Sequence, residues 1–318
     1  MNLDRLTRDS PFIGLVAVLL LFAVLPNIFT IATAGQVVVL AVFAMGYNLL
    51  FGFGGEMSFG HASFYGLGAF GVALLITELS VGPFVAMVAG PLIAGVAGLL
   101  MGAVSLKRRG IYFAMITLAL AQMIYYLFIY NEVLSGGATG LYFPSADLNV
   151  GPLSIVGGGF GFYVFAILLL LVLWLTIYRL LQSPYGLLLR AVRTNEQRAQ
   201  YLGVNTYRVL LLAFFLSASV AGVAGMLYLL LNGFITPDLL FWSLSGQVII
   251  ITILGGAGSM NGPIFGAFIF ILANNWMTQV TEHWPVLYGL IFVAVVLFLP
   301  GGMVSFRTEF TQRLDIDI

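Results

Sequence analysis

No cysteine occurs in this 318-residue sequence, lysine occurs once, and Asp, Glu, Lys and Arg together make up 8% of it. Without cysteine there are no disulfides and no thiolate metal sites. So little charge cannot clothe a domain in water, where about a quarter of residues are charged. The net charge of zero removes a broad electrostatic case for nucleic acid. Two histidines, His61 and His283, without an HExxH pattern, are too few for a metal site. The one lysine, Lys107, follows no phosphate-loop glycine pattern, and no serine sits in a G-x-S-x-G elbow. These absences assign the chain no catalytic residue and no cofactor, and any ATP it uses must be hydrolysed by another chain.

What is present is hydrocarbon: 61% of residues are hydrophobic and the mean hydropathy is +1.08. Such a chain belongs in a bilayer. MNLDRLTRDSPF places basic residues ahead of an apolar run, but no small-residue cleavage site follows, so it reads as a first span and not a signal peptide. The long charge-free stretches, Asp9 to Glu56 and Asp238 to Glu282, are each roughly twice a ~30 Å hydrocarbon core and must fold back once. Pro26-Asn27 and GGAGSMNGP (255–263) mark those folds. Single spans are predicted within 57–77, 79–106, 110–131, 148–178, 209–237 and 283–306. The expectation is an all-α membrane protein, one domain over 1–318, of about ten transmembrane helices, with glycine-interrupted segments in each half. Threaded this way, Arg5, Arg8, Lys107 to Arg109, Arg179 to Arg208, Arg307 and Arg313 share one side, with both termini. The positive-inside rule makes that side cytoplasmic.

The longest basic stretch, LLRAVRTNEQRAQYLGV (188–204), falls in the connection at about 180–208. Ser183-Pro184 breaks the preceding helix. Thr194 with Gln197 has capping-box spacing, and Gly203 stands where a left-handed cap would, so Asn195 to Leu202 is predicted as a short helix. Two turns are marginal alone in water. Two readings stand: a solvated loop, or a docking helix presenting Ala199, Tyr201, Leu202 and Val204 to a cytoplasmic partner.

SPYGLLLRAVRTNEQRAQYLGVNTYRVLLLAFFLSASVAGVAGMLY resembles the coupling region of ABC-importer permeases for branched-chain amino acids. NLLFGFGGEMSFGHASFYGLGAF (48–70), RRGIYFAMITLALAQM (108–123), SGGATGL (135–141) and LGGAGSMNGPIFGAF (254–268) carry the likeness along the chain, closest to the M-type of the two unlike permeases. The resemblance implies a multi-pass protein of the bacterial inner (plasma) membrane. It implies as partners two cytoplasmic ATP-binding subunits, a second, dissimilar permease and a periplasmic or extracellular binding protein. It also implies an ATPase-coupling role for Arg190, Arg193, Asn195, Glu196, Arg198, Ala199, Leu202 and Gly203. The family commonly has glutamine where this chain has Glu56.

GGEMSFGHASF (54–64) and GGAGSMNGPIF (255–265) share Gly, Gly, Ser and Phe in register. Glycine-interrupted segments in corresponding halves point to a membrane binding site. A path bordered by Ser58, His61, Ser63, Ser259 and Asn261 is therefore expected, with Gln122 facing the bundle interior. Glu56 belongs either to that path or to a hydrated turn. Most of the glycines, Gly66, Gly68, Gly71, Gly222 and Gly225 among them, read as close helix contacts. Trp174, Trp242, Trp276 and Trp284 are expected as interfacial anchors, and the loop 132–160 as a contact for the binding protein. Rival readings are a secondary transporter or channel acting alone, a membrane enzyme, and the same architecture carrying urea or other amino acids.

Overall fold

The computed structural model describes residues 30–143, 149–150, 153–154, 159–280 and 289. The spans expected before Pro26 and within 283–306, and Trp284, lie outside the described residues.

Helix α1 (Ile31–Asn48) is capped by Thr30, whose hydroxyl accepts from Thr33 N at 3.3 Å, and continues as a π-helix, Leu49–Phe53. After the break at 54–60 come α2 (His61–Thr77), α3 (Pro83–Ser105), α4 (Ile111–Tyr130) and the short α5 (Glu132–Ser135). Then follow α6 (Phe160–Gln182), α7 (Pro184–Thr194), α8 (Glu196–Tyr201), α9 (Thr206–Asn232), α10 (Trp242–Gly255) and α11 (Gly262–Val280). Five of the described helices are long and apolar enough to cross a membrane: α1 with its π-helix, α3, α4, α6 and α9. α2 and α10 are apolar but shorter.

Helices apolar all round belong in a core, and α1 is the deepest, 83% buried, followed by α9 at 67%. α1 packs against α6, α9, α10 and α11, while α9 also packs against α2 and α3. α3, α4 and α6 form the rim, only 28% to 39% buried. Small residues let the core close. A methyl at Gly68 would strike the backbone of Gly222, and one at Gly225 the carbonyl of Tyr65, so α2 and α9 touch backbone to backbone. This is the close approach that glycine allows between membrane helices.

The described Lys and Arg residues all gather at one end of the bundle, in the connections α3–α4 and α6–α9. Glu78, Glu132 and Asp238 lie at the other end. There Leu141–Tyr142 (β1) pairs antiparallel with Phe234–Ile235 (β4), and Asn149–Val150 (β2) with Leu153–Ser154 (β3).

Two local expectations need correction. The cap of α8 is Asn195, whose Oδ1 accepts from Arg198 N at 2.9 Å. Thr194 instead closes α7, donating to Arg190 O at 2.9 Å. Trp174 is no interfacial anchor: it is fully buried, and its Nε1 donates to Asn261 Oδ1 at 2.8 Å.

Candidate functional site

The basic end of the bundle is built by four connections that would splay apart without specific ties. The first tie is Arg109, at the entry to α4. Its Nε and Nη2 donate to the two carboxylate oxygens of Glu196, at 3.0 and 2.6 Å. Its Nη1 stands 3.4 Å from Glu56 Oε1. A guanidinium fork matches a carboxylate in two parallel bonds, which fixes orientation as well as distance. Thr206 Oγ1, in the first turn of α9, donates to Glu196 Oε1 at 2.8 Å and accepts from Gln200 Nε2 at 3.1 Å. One network thus joins the α3–α4 turn, the break before α2, the first turn of α8 and the start of α9.

The electrostatics are uneven. Burial raises the Glu56 carboxyl to about 7, against the pull of Arg109 and with the help of nearby Glu196. Burial would raise Glu196 as well, but hydrogen bonds from Arg109 and Thr206 outweigh it and hold that carboxyl below its usual value. Arg109 therefore serves Glu196 first. Glu56, 8% exposed, lies in the break before α2 beneath the α7–α8 corner, away from the bundle-interior serines. A cavity of about 370 Å³ opens there, lined by Gly54 to Glu56, Arg109 and 192–197.

The second tie is Arg193, in the last turn of α7. A methyl on Gly55 would lie 3.1 Å from Arg193 Cγ, and one on Gly258 would lie 2.6 Å from Arg193 Nη1. Both glycines have positive φ, +82° and +83°, which L side chains rarely adopt. The second glycine break is further clamped to the end of α1 by Asn48, whose Nδ2 donates to Ser259 O at 2.9 Å and whose Oδ1 accepts from Gly258 N at 2.8 Å. Arg193 thus bridges Gly55 and Gly258, one glycine from each of the segments related by sequence register, beneath the basic connection.

α8 itself is closed at both ends. Beyond Tyr201, Gly203 N donates to Gln200 O at 2.9 Å and Val204 N to Ala199 O at 3.1 Å, a Schellman ending with Gly203 at φ +82°. Ala199 faces inward, 3% exposed, whereas Tyr201 and Leu202 stand 88% and 83% exposed. Arg190 lies 6.0 Å over the Phe53 ring.

Ser58, His61 and Ser63 are fully buried in the bundle. His61 Nε2 donates to Ser217 Oγ at 2.7 Å, and Ser217 in turn donates to Gly46 O at 2.7 Å. Ser58 Oγ accepts from Gly60 N, and Ser63 Oγ donates to Ala121 O at 3.5 Å. Ser259 and Asn261 sit apart from them, in the α10–α11 turn. Sequence reasoning missed Arg109, Asn48 and Thr206 as site residues. Arg109 was visible only as part of a basic cluster, and the other two carry no motif. Among the described residues no three His, Asp or Glu side chains gather as a metal site needs.

A family model described as "Branched-chain amino acid transport system / permease component" matches residues 27–299. The chain is 28% identical over 295 residues to the high-affinity branched-chain amino acid transport system permease protein LivM of Escherichia coli (strain K12), covering 86% of this chain and 69% of that one. It is 26% identical over 283 residues to the corresponding LivH protein of Salmonella typhimurium, covering 83% and 91%. No solved structure matches. The chain, a helical membrane protein with paired glycine breaks under a basic connection, belongs to the family of permease components of branched-chain amino acid transport systems.

Proposed function

We propose that this chain is the membrane-spanning subunit of an ATP-driven importer of leucine, isoleucine and valine, and that α8 is the element its ATPase grips. On this reading about ten spans cross the membrane, and the basic end and both termini face the cytoplasm. Two ATP-binding subunits dock there, a second, dissimilar permease completes the route, and a binding protein delivers substrate to the other end.

The observation that carries the reading is the bidentate Arg109–Glu196 pair. A capped helix of six residues cannot transmit force if it hangs on a slack loop. Tied by Glu196 to Arg109 and Thr206, and preceded by Arg193 packed on both glycine breaks, it is held to the bundle on both sides. Closure of the ATPases on Tyr201, Leu202 and Arg198 then biases a two-state bundle. Against an ion-driven transporter stands the absence of any acidic residue from the described spanning helices, where proton relays need one.

The test is replacement of residues 195–203 by a Gly/Ser linker. Membrane insertion should persist, while uptake and co-purification of the ATPases are lost. Unchanged recovery of ATPases with that variant would falsify the docking role. Identifying the chains that co-elute with the native protein in mild detergent tests the assembly directly.

A further inference from the structure

Both short helices begin inside the bundle. The chain leaves α9 at Asn232, forms β4, and drops through the 3-10 turn Pro237–Leu240, whose Leu240 is fully buried against Gly66 of α2. α10 then has 14 residues, about 21 Å of rise, short of a ~30 Å hydrocarbon core. α2 starts next to it. Ala62 N donates to Ser245 Oγ at 2.8 Å, and Ser63 Oγ donates to Ala121 O at 3.5 Å.

Those two bonds set a depth. Gln122 follows Ala121 on α4, and Gln247 lies two residues beyond Ser245 on α10, so both amides sit level with the first turn of α2. Both are part-exposed, and Ser243 is exposed beside them. Gln122 Nε2 is enclosed without a hydrogen-bond partner. Most exposed side chains of the rim suit lipid, Val88, Leu92 and Val96 on α3, Leu168 and Val172 on α6, and on α4 itself Met123 and Leu127 beside Gln122, so the amides stand out from their surroundings. Polar side chains within the membrane face other helices or water-filled cavities, because hydrocarbon leaves them unpaired.

We propose that the side of α4 and α10 bearing Gln122, Ser243 and Gln247 lines the solute route at the contact with the second permease, and that its two amides bind the ammonium and carboxylate common to all amino acids. The proposal rests on the two-permease importer described above. An amide both donates and accepts, so it can replace water around either end of a zwitterion without fixing a charge in the membrane. The partial positive end of α10 adds to the attraction for the carboxylate. The ring cluster beside them, Tyr125–Phe241 at 5.0 Å and Phe241–Trp242 at 5.8 Å, offers an apolar surface to the branched side chain.

The absence of native cysteine makes the test direct. Gln122→Cys, Gln247→Cys, Val88→Cys and Val172→Cys chains are assembled into the complete importer in proteoliposomes. Each is exposed to a membrane-impermeant methanethiosulfonate, with modification of this chain read by mass. Positions 122 and 247 should react at least tenfold faster than 88 and 172, and millimolar leucine should slow them at least threefold. Rates no faster than at Val172→Cys overturn the proposal, as do fast rates that leucine leaves unchanged. Gln247→Leu should also lower leucine uptake at least tenfold while the subunits still co-purify; uptake within twofold of wild type overturns the binding role. Wild-type uptake that needs neither ATP nor a partner chain would sink the importer reading instead, and the labelling pattern still decides which face is wet.

Discussion

Arg109 and Glu196 are 87 residues apart in sequence and joined by two parallel hydrogen bonds at the basic end of the bundle. Among the described residues that pair is the side-chain link between the docking helix and the α3–α4 turn, so it is the point at which coupling and folding can be separated. Arg109→Ala leaves Glu56 and Glu196 facing each other without a cation. Both partners are partly exposed, 29% and 28%, so solvent screens the loss and we expect about 1–2 kcal/mol of destabilisation. Uptake should fall at least tenfold at unchanged membrane abundance. Arg109→Lys keeps the charge but not the fork and should fall between. Full transport by Arg109→Ala would remove the pair from the coupling route.

Glu56 gives a pH signature. With its folded value raised to about 7 from the ordinary 4.5, it holds a proton more tightly folded than unfolded. Its contribution to stability is therefore complete below about pH 4.5, is lost as pH rises through about 7, and is level above. Glu56→Gln, which stays neutral, should flatten that decline. Melting temperatures of detergent-solubilised protein across about pH 5 to 8 read it. Parallel curves for the two proteins would mean that Glu56 does not titrate in this window.

How much of this was legible follows from what signals by pattern and what signals by place. The helical membrane class came from hydropathy, and the α8 region from Ser183-Pro184, the Thr194–Gln197 spacing and Gly203, although the cap proved to be Asn195. The register between 54–64 and 255–265 picked out two breaks that Arg193 touches together, at Gly55 and Gly258. What pattern could not give was depth and partner. Trp174 was expected at an interface but is buried, bonded to Asn261 of the α10–α11 turn, since a lone tryptophan reads the same in either place. Thr194 and Asn195 are both good caps, and only backbone geometry chose Asn195. Arg109 has no motif, because its role comes from two acids that the fold brings to it.

α8 is short enough that its caps decide whether it forms. Asn195→Ala removes the acceptor for Arg198 N and should cost about 1 kcal/mol. Gly203→Ala forces an L side chain to φ +82° and should cost a similar amount. Amide exchange within 196–203 should accelerate in both, with ATPase recovery reduced and the spanning helices unaffected. Equal protection in wild type and both variants would mean that the network, not the caps, holds the helix.

Asn48 is the sharpest test of whether the glycine turn between α10 and α11 is held or merely adjacent. Its side chain is 1% exposed and answers one donor and one acceptor, Gly258 N and Ser259 O. Asn48→Leu has nearly the same volume, so packing is largely kept while both backbone groups lose their partner. Each orphaned group costs about 1–3 kcal/mol. The turn should open, amide exchange over 256–261 should rise, and uptake should fall at least tenfold. Gln36→Leu, exposed near the start of α1, is the control for a polar-to-apolar change on the same helix and should match wild type. If Asn48→Leu also matches wild type in exchange and uptake, the turn is kept by Gly52 and Arg193 packing alone, and the clamp has no part in transport.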